Sequence, residues 1–291
     1  MGVFDSLPRM TAPGLFVTGT DTGVGKTVVS CLIADQLRRR EAEESPRSRI
    51  GVMKPIATGC RRDREGLVSE DAEELAFAAE FDPDVGDLTV VNPIRFKAPT
   101  APVAAVDHPR ERGSGGWTPL FTEELARSMA RIDAACSHVV MEGIGGVMVP
   151  LGVEAEAARN NPRPSTVIDL MRAVGYPVVV VCRADLGTLN HTAMTCELIR
   201  RAGLTLAGLV VNGFDADSQD PAMQSNLRWL AWQNHTGILA VLPAWRREDG
   251  SERWKWDVRR IAPTLREAID ATDFGGLCRP ARAAKRRQGG G

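Results

Sequence analysis

Cysteine pairing is the first thing missing. Six cysteines stand at positions 31, 60, 136, 182, 196 and 278, with no CxxC pair and no grouping with His108, His138, His191 or His235. That spacing argues against a zinc site or a disulfide framework and for reduced thiols in a cytoplasmic compartment. No apolar run approaches the length that spans a bilayer, and the first thirteen residues, MGVFDSLPRMTAP, lack the basic and apolar regions of a secretory signal. Neither sign of charge prevails, with 36 Lys+Arg against 37 Asp+Glu, so the overall balance selects neither nucleic acid nor an anionic membrane as a partner. The local exception is 279–291, RPARAAKRRQGGG, which is basic, ends in glycine and has no apolar period. It reads as a solvated, disordered tail or a tether.

What is present is the composition of an ordinary globular chain, 43% hydrophobic and 25% charged over 291 residues, long enough to bury a substantial core. Short β-branched runs at 14–19, 50–55, 138–143, 177–183, 206–213 and 237–243 alternate with helical patterns at 26–39, 69–80, 121–132, 166–174, 190–202 and 219–234. Most of the runs are apolar on both alternating faces, as strands are when helices cover both sides. The expected fold is a single-domain α/β, P-loop NTPase-like and doubly wound, with a mostly parallel sheet and helices on both faces. Its domain is expected over 14–270, with 1–13 as an N-terminal extension. The stretches 107–118 and 152–164 are polar and rich in Pro and Gly and read as surface loops. In such sheets ligands bind beyond the carboxyl ends of the strands.

At the first of those ends stands Gly19-Thr20-Asp21-Thr22-Gly23-Val24-Gly25-Lys26-Thr27, followed at once by the helical run VVSCLIADQLRRR. Polyphosphate needs close approach by backbone N–H groups and a helix N-terminus, and Lys26 and Thr27 add a point charge and a hydroxyl that can ligate Mg2+. The strict phosphate-loop pattern would have glycine at position 20, where this chain has Thr20. The loop by itself does not choose among partitioning ATPases, amide ligases and kinases.

Three further segments narrow the chemistry. Lys54 ends the second apolar run in VMKPIATG, where a cation could neutralise charge on a γ-phosphate or simply sit at a strand exit. Glu142, in MEGIGG, is placed as a Mg2+ ligand or as a glutamate at a Gly-rich turn. In Ser69-Glu70-Asp71 the serine reads as a helix cap, while Asp71 could reach a metal.

With these residues assembled, the chain resembles the dethiobiotin synthetase family. The resemblance lies in GTDTGVGKT, KPIATG, SED, NPIRFKAPTAP, MEGIGGVMVPL, LGTLNH and GLTLAGLVVNG, in this order, from about residue 14 to about 245. It implies an ATP-dependent ligase of biotin biosynthesis that uses Mg2+, takes 7,8-diaminononanoate and CO2 or bicarbonate, and works as a homodimer with its active site near the interface. By the same resemblance Thr22, Gly23, Val24, Gly25, Lys26 and Thr27 hold the triphosphate. Thr27, Asp71 and Glu142 form the metal site, and Lys54 contacts both the carbamate and the γ-phosphate. Thr58 touches substrate, and Gly145 and Gly146 are the substrate-loop glycines, with Gly145 also counted on the nucleotide side. Asn212 reads adenine, flanked by Pro243 and Ala244, and a loop at Gly187, Thr188, Leu189 and Asn190 from a partner subunit holds the substrate carboxylate. The chain departs from the family pattern at Gly23, where some members carry glutamate, in the length of 152–164, and after Trp245.

Two other classes compete. A partner-binding ATPase switch of the partitioning type would carry an early lysine in the loop, where this chain has Thr20 to Val24. A cobyrinate-type amide ligase would need a glutaminase domain, which about 45 residues after Trp245 cannot hold.

Overall fold

The computed structural model describes residues 3–45, 47–64, 66–106, 119–152, 164–244 and 258–281. The stretches 107–118 and 153–163 therefore lie outside the described residues, as do Trp254, Lys255, Trp256 and the tail beyond residue 281. In chain order, β1 (Gly14–Gly19) leads into α1 (Lys26–Glu44), β2 (Ile50–Met53), β3 (Ile56–Ala57), β4 (Arg61–Arg62), β5 (Leu67–Val68) and α2 (Glu70–Ala79). Then come α3 (Leu88–Val91), β6 (Ile94–Arg95), α4 (Pro102–Val106), α5 (Pro119–Ala135), β7 (His138–Gly146), β8 (Pro150–Gly152), β9 (Ser165–Thr166) and α6 (Val167–Val174). The chain alternates again through β10 (Val178–Arg183), α7 (Thr188–Arg201), β11 (Leu206–Phe214), α8 (Pro221–Asn234) and β12 (Ile238–Pro243), and closes with α9 (Pro263–Asp270) and α10 (Phe274–Leu277).

Six strands form one parallel sheet in the order β12-β11-β10-β1-β7-β2, with β1 in the interior. Every residue of β1 is buried, and the two-residue period sends alternate side chains to opposite cores. Leu15 and Val17 join Leu32 and Ile33 of α1 and Leu265 of α9 on one face. Phe16 joins Leu125, Met129 and Ile132 of α5 on the other. This is the doubly wound α/β architecture expected from the alternation of runs.

Several element ends differ from the sequence reading, and each has a physical cause. The third run does not stop at residue 143: β7 continues through Gly146, which pairs with Gly19 across a register shift. Glycines that read as a turn are here strand residues lying against the phosphate loop. The second strand stops at Met53 because the Lys54 N–H turns aside to Val91 O (2.8 Å) and Pro55 has no N–H to offer. Gly187 to Asn190 is not a loop. Gly187, at φ 94, is the N-cap of α7, and Thr188, Leu189 and Asn190 form its first turn.

The two ends also contribute to the fold. Val3, Phe4, Met10 and Ala12 are buried in the α5-side core, and Asp133 of α5 accepts from the N–H groups of Thr11 and Ala12, both at 2.7 Å, and from the Thr11 hydroxyl at 2.9 Å. At the other end, Phe274 and Cys278 are buried beyond residue 270. Gly14 and Arg279 exchange backbone hydrogen bonds as an antiparallel bridge, and Ala281 N donates to Met10 O at 3.3 Å. Residues 3–12 are thus packed as part of the domain, and 279–281 are paired to it.

Candidate active site

The phosphate loop joins β1 to α1. Gly25 caps α1 in the left-handed region at φ 95, and a Cβ built there would lie 2.0 Å from the Asn212 Nδ2. Position 25 therefore excludes a side chain on two counts, backbone conformation and the close approach of β11. Asn212 donates from Nδ2 to Val24 O at 3.0 Å, fastening the end of β11 to the loop. Lys26 is buried and donates to Asp21 O at 2.7 Å, curling the loop around its own ammonium group. Burial lowers the Lys26 pKa to about 8, with the Lys54 charge adding to the effect.

Beside the loop four side chains converge. Lys54 Nζ lies 2.6 Å from Glu142 Oε1 and 2.7 Å from Asp71 Oδ2. The Thr27 hydroxyl is 2.9 Å from the same Glu142 oxygen and 3.0 Å from Asp71 Oδ1. Each reaches this point from a different element. Thr27 lies in the first turn of α1, Lys54 directly follows β2, Asp71 is in the first turn of α2 after the Ser69 cap, and Glu142 is in β7. Lys54 and Glu142 are buried, with side chains 4% and 0% exposed. Burial opposes the charge on Lys54, but Glu142 and Asp71 outweigh it and hold its pKa above the ordinary lysine value. Burial raises the Glu142 pKa despite the ammonium beside it. For Asp71 burial is outweighed by Lys54 and the Thr27 hydrogen bond, and its pKa falls.

The chemistry of this donor set fits a hard divalent cation. Glu142 Oε2 is buried and makes no hydrogen bond, an acceptor whose isolation is unfavourable unless a ligand satisfies it. No group of three or more His, Cys, Asp or Glu forms a metal cage among the described residues. Mg2+ is ordinarily held by one or two carboxylates with substrate phosphates and water, not by a protein cage, so two carboxylates and a hydroxyl match its preference.

A cleft of about 410 Å3 opens along the loop between the ends of β10, β11 and β12, lined by Gly23, Val24, Gly25, Asn212 and Pro243 among others. Ala244 lies outside it: its N–H donates to Phe214 O at 2.7 Å and it lines the neighbouring depression with Asp215. Gly145 and Gly146 approach the loop from β7, where a Cβ on Gly145 would lie 3.5 Å from Thr22 Oγ1 and one on Gly146 would lie 3.4 Å from Thr20 O. Thr58, half-buried, follows β3. The α7 residues are not brought into the four-residue cluster. Thr188 is buried with its hydroxyl donating to Arg183 O at 2.7 Å, Leu189 packs against the core, and Asn190 is exposed.

Two residues without an assigned role in the sequence reading stand at the site. Asn92 is fully buried, and its Nδ2 donates to Lys54 O at 2.5 Å and to Ile94 O at 3.3 Å. Together with the Val91 carbonyl it fixes the Lys54 backbone. Only an Asn-Pro step beside the apolar run TVV hints at it in the sequence. Arg183, the last residue of β10, lines the cleft. A charged residue closing an otherwise apolar run was the available signal.

A parallel doubly wound sheet with a glycine-rich phosphate loop after its interior first strand defines the class: a P-loop nucleotide-binding α/β protein. A family model described as "AAA domain" matches residues 13–248. The chain is 39% identical over 259 residues to the ATP-dependent dethiobiotin synthetase of Anaeromyxobacter dehalogenans (strain 2CP-C), covering 89% of this chain and 97% of that protein. It is 34% identical over 239 residues to the one from Xanthomonas campestris pv. campestris (strain 8004), covering 82% and 91%. Among solved structures it is similar to a ParA family ATPase from Chlorobium tepidum TLS (TM-score 0.44, 12% identity, 89% of this chain and 96% of that one). The chain belongs to the ATP-dependent dethiobiotin synthetase family.

Proposed function

We propose that this chain is a dethiobiotin synthetase, an ATP-dependent cyclo-ligase that carboxylates 7,8-diaminononanoate with CO2 and closes the ureido ring. The observation that carries this reading is the convergence of Lys54 and Thr27 on one oxygen of buried Glu142, next to the phosphate loop of a chain in this family. One neutral amine of the substrate attacks CO2 and gives a carbamate. A carbamate oxygen attacks the γ-phosphorus, and the bond to ADP breaks. The second amine attacks the carbonyl carbon of the mixed anhydride, phosphate leaves, and the ring closes.

The protein's task in such a sequence is positioning and charge neutralisation, as in other phosphoryl transfers. Backbone N–H groups of Thr22 to Thr27 cradle the triphosphate, and Lys26 faces its β- and γ-oxygens. Thr27, Asp71 and Glu142 are the residues that would hold Mg2+, which when bound supplies neutralisation of phosphate charge. Lys54 has three N–H donors. Two are committed to Glu142 and Asp71, while the third makes only a 3.3 Å contact to Gly143 O. That third donor is the one a carbamate or γ-phosphate oxygen would take over. The two lysines also oppose protonation of the substrate amine, which must be neutral to attack CO2.

Gly145 and Gly146 give the substrate backbone contacts, Thr58 touches it from the end of β3, and Asn212 and Pro243 flank the adenine. The substrate carboxylate is held by backbone N–H groups at the first turn of a partner's α7, Gly187 to Asn190, the Thr188 hydroxyl being committed to Arg183 O and Leu189 packed against the core. Support for that arrangement comes from Leu186, 85% exposed immediately before the turn, and from Met194, 51% exposed in the same helix. No helix among the described residues is long and apolar enough to cross a membrane.

The test is to measure ADP release with and without 7,8-diaminononanoate and bicarbonate, following dethiobiotin by mass spectrometry. Strictly coupled ADP and ring formation is expected. ATP turnover indifferent to the diamine would replace this reading with the partner-binding switch.

A further inference from the structure

We propose that Arg183 is a third cation on the nucleotide's polyphosphate, reaching it from the end of β10 across the mouth of the phosphate loop. The proposal rests on the nucleotide-binding reading of the loop given above. In the parallel register Arg183 pairs with Asn212, so the two residues stand side by side at the carboxyl edge of the sheet. Asn212 is fastened to Val24 O. Arg183 correspondingly faces the preceding loop residue: its Nη2 donates to Gly23 O across 3.5 Å. A Cβ built on Gly23 would lie 3.7 Å from that nitrogen. The guanidinium therefore lies directly over position 23, in space that a longer side chain there would contest.

The three cations differ in how far each is already committed. Lys26 is buried and bonded to Asp21 O, and Lys54 is held between two carboxylates. Arg183 is exposed and lines the cleft of about 410 Å3. Among the described residues its side chain makes the single long contact to Gly23 O and no ion pair. Asp185 lines the same cleft without pairing to it. A guanidinium offers five N–H donors in a planar fork suited to bidentate contact with phosphate. With one weak bond to a loop carbonyl, it is charged, close and uncommitted. Its contact with Gly23 puts it against the phosphate loop itself, within the cleft that the loop lines.

Calorimetric titration of ATP, ADP and adenosine into the full-length protein, Arg183→Gln and Arg183→Lys, at fixed Mg2+, tests this. Arg183→Gln should weaken ATP roughly 10- to 100-fold, the range for losing a charged hydrogen bond. ADP should weaken as well, adenosine should bind unchanged, and Arg183→Lys should recover part of the loss. Because the side chain is exposed, the thermal midpoint without nucleotide should not move. Unchanged ATP affinity in Arg183→Gln would overturn the proposal. An equal loss for ATP and adenosine would also overturn it, by assigning the side chain to the base. These titrations do not depend on the diamine. Failure of the unaltered protein to close a ureido ring would remove the assigned reaction while leaving the Arg183 result readable.

Discussion

Lys54 and Glu142 form a buried pair whose members cannot be treated singly. Removing the ammonium leaves a fully buried carboxylate next to Asp71, and losing one partner of such a pair typically costs about 3–5 kcal/mol. Lys54→Met should therefore lower the unfolding free energy by about that much, and the double variant Lys54→Met with Glu142→Gln should recover most of it. Neither should close the ring. Denaturant titration and product assay separate the two effects, and a double variant no more stable than Lys54→Met would show that the pair's charges are not what the fold responds to. Lys26 makes a second prediction. Its pKa is lowered to about 8 by burial and then by Lys54, so in the free protein its charge is lost as pH rises through that value. Polyphosphate favours the charged form, and binding above that pH must take up a proton. ATP affinity should be level near pH 7 and fall up to about tenfold per unit above pH 8. A level affinity from pH 7 to 9.5 would count against Lys26 as a phosphate ligand.

At the scale of elements, the sheet strands could be read from the sequence because each is a β-branched run covered on both faces; the six runs are the six strands, to within a few residues. Reading failed where glycine has two meanings. The segment from Gly143 to Gly146 looks like a turn but extends β7 beside β1, since Gly145 and Gly146, without side chains, can lie against the phosphate loop. In α7, Thr188 to Asn190 looked like loop because the helix begins at a glycine cap, not at a Ser, Thr or Asp signal. The four side chains that meet beside the phosphate loop, Thr27, Lys54, Asp71 and Glu142, are each singled out by motif position. Asn92 was missed because its task is to hold a backbone carbonyl, which leaves no chemical signature in sequence. The N-terminal segment was hidden for a similar reason, being docked through backbone N–H groups to Asp133. Asp133→Ala removes three hydrogen bonds and should destabilise the protein by about 1–3 kcal/mol, the range for unsatisfied donors of a partly buried segment. Hydrogen exchange should then quicken at Thr11 and Ala12 ahead of β1. Unchanged exchange there would mean that the apolar contacts of Phe4 and Met10 hold the segment without Asp133.

For the whole molecule, the proposed partner subunit gives the α7 turn its role, and Leu186 its reason to be 85% exposed. Sedimentation should give a dimer. Leu186→Asp should shift it to monomer and raise the diamine KM far more than that for ATP, whose cleft lies within one chain. A protein that is monomeric at assay concentration and fully active would remove the partner from the site. The pairing of Gly14 with Arg279 and of Met10 with Ala281 has a consequence of another kind. It sets residues from opposite ends of the fold a single hydrogen bond apart, so the chain's linear order is nearly a closed ring. Joining residue 281 to residue 3 through a glycine linker long enough to leave the packing of residues 3–12 intact, and opening the chain within the polar stretch 107–118, would keep every strand of the sheet in place. Such a circular permutant should fold to the same sheet and retain nucleotide binding.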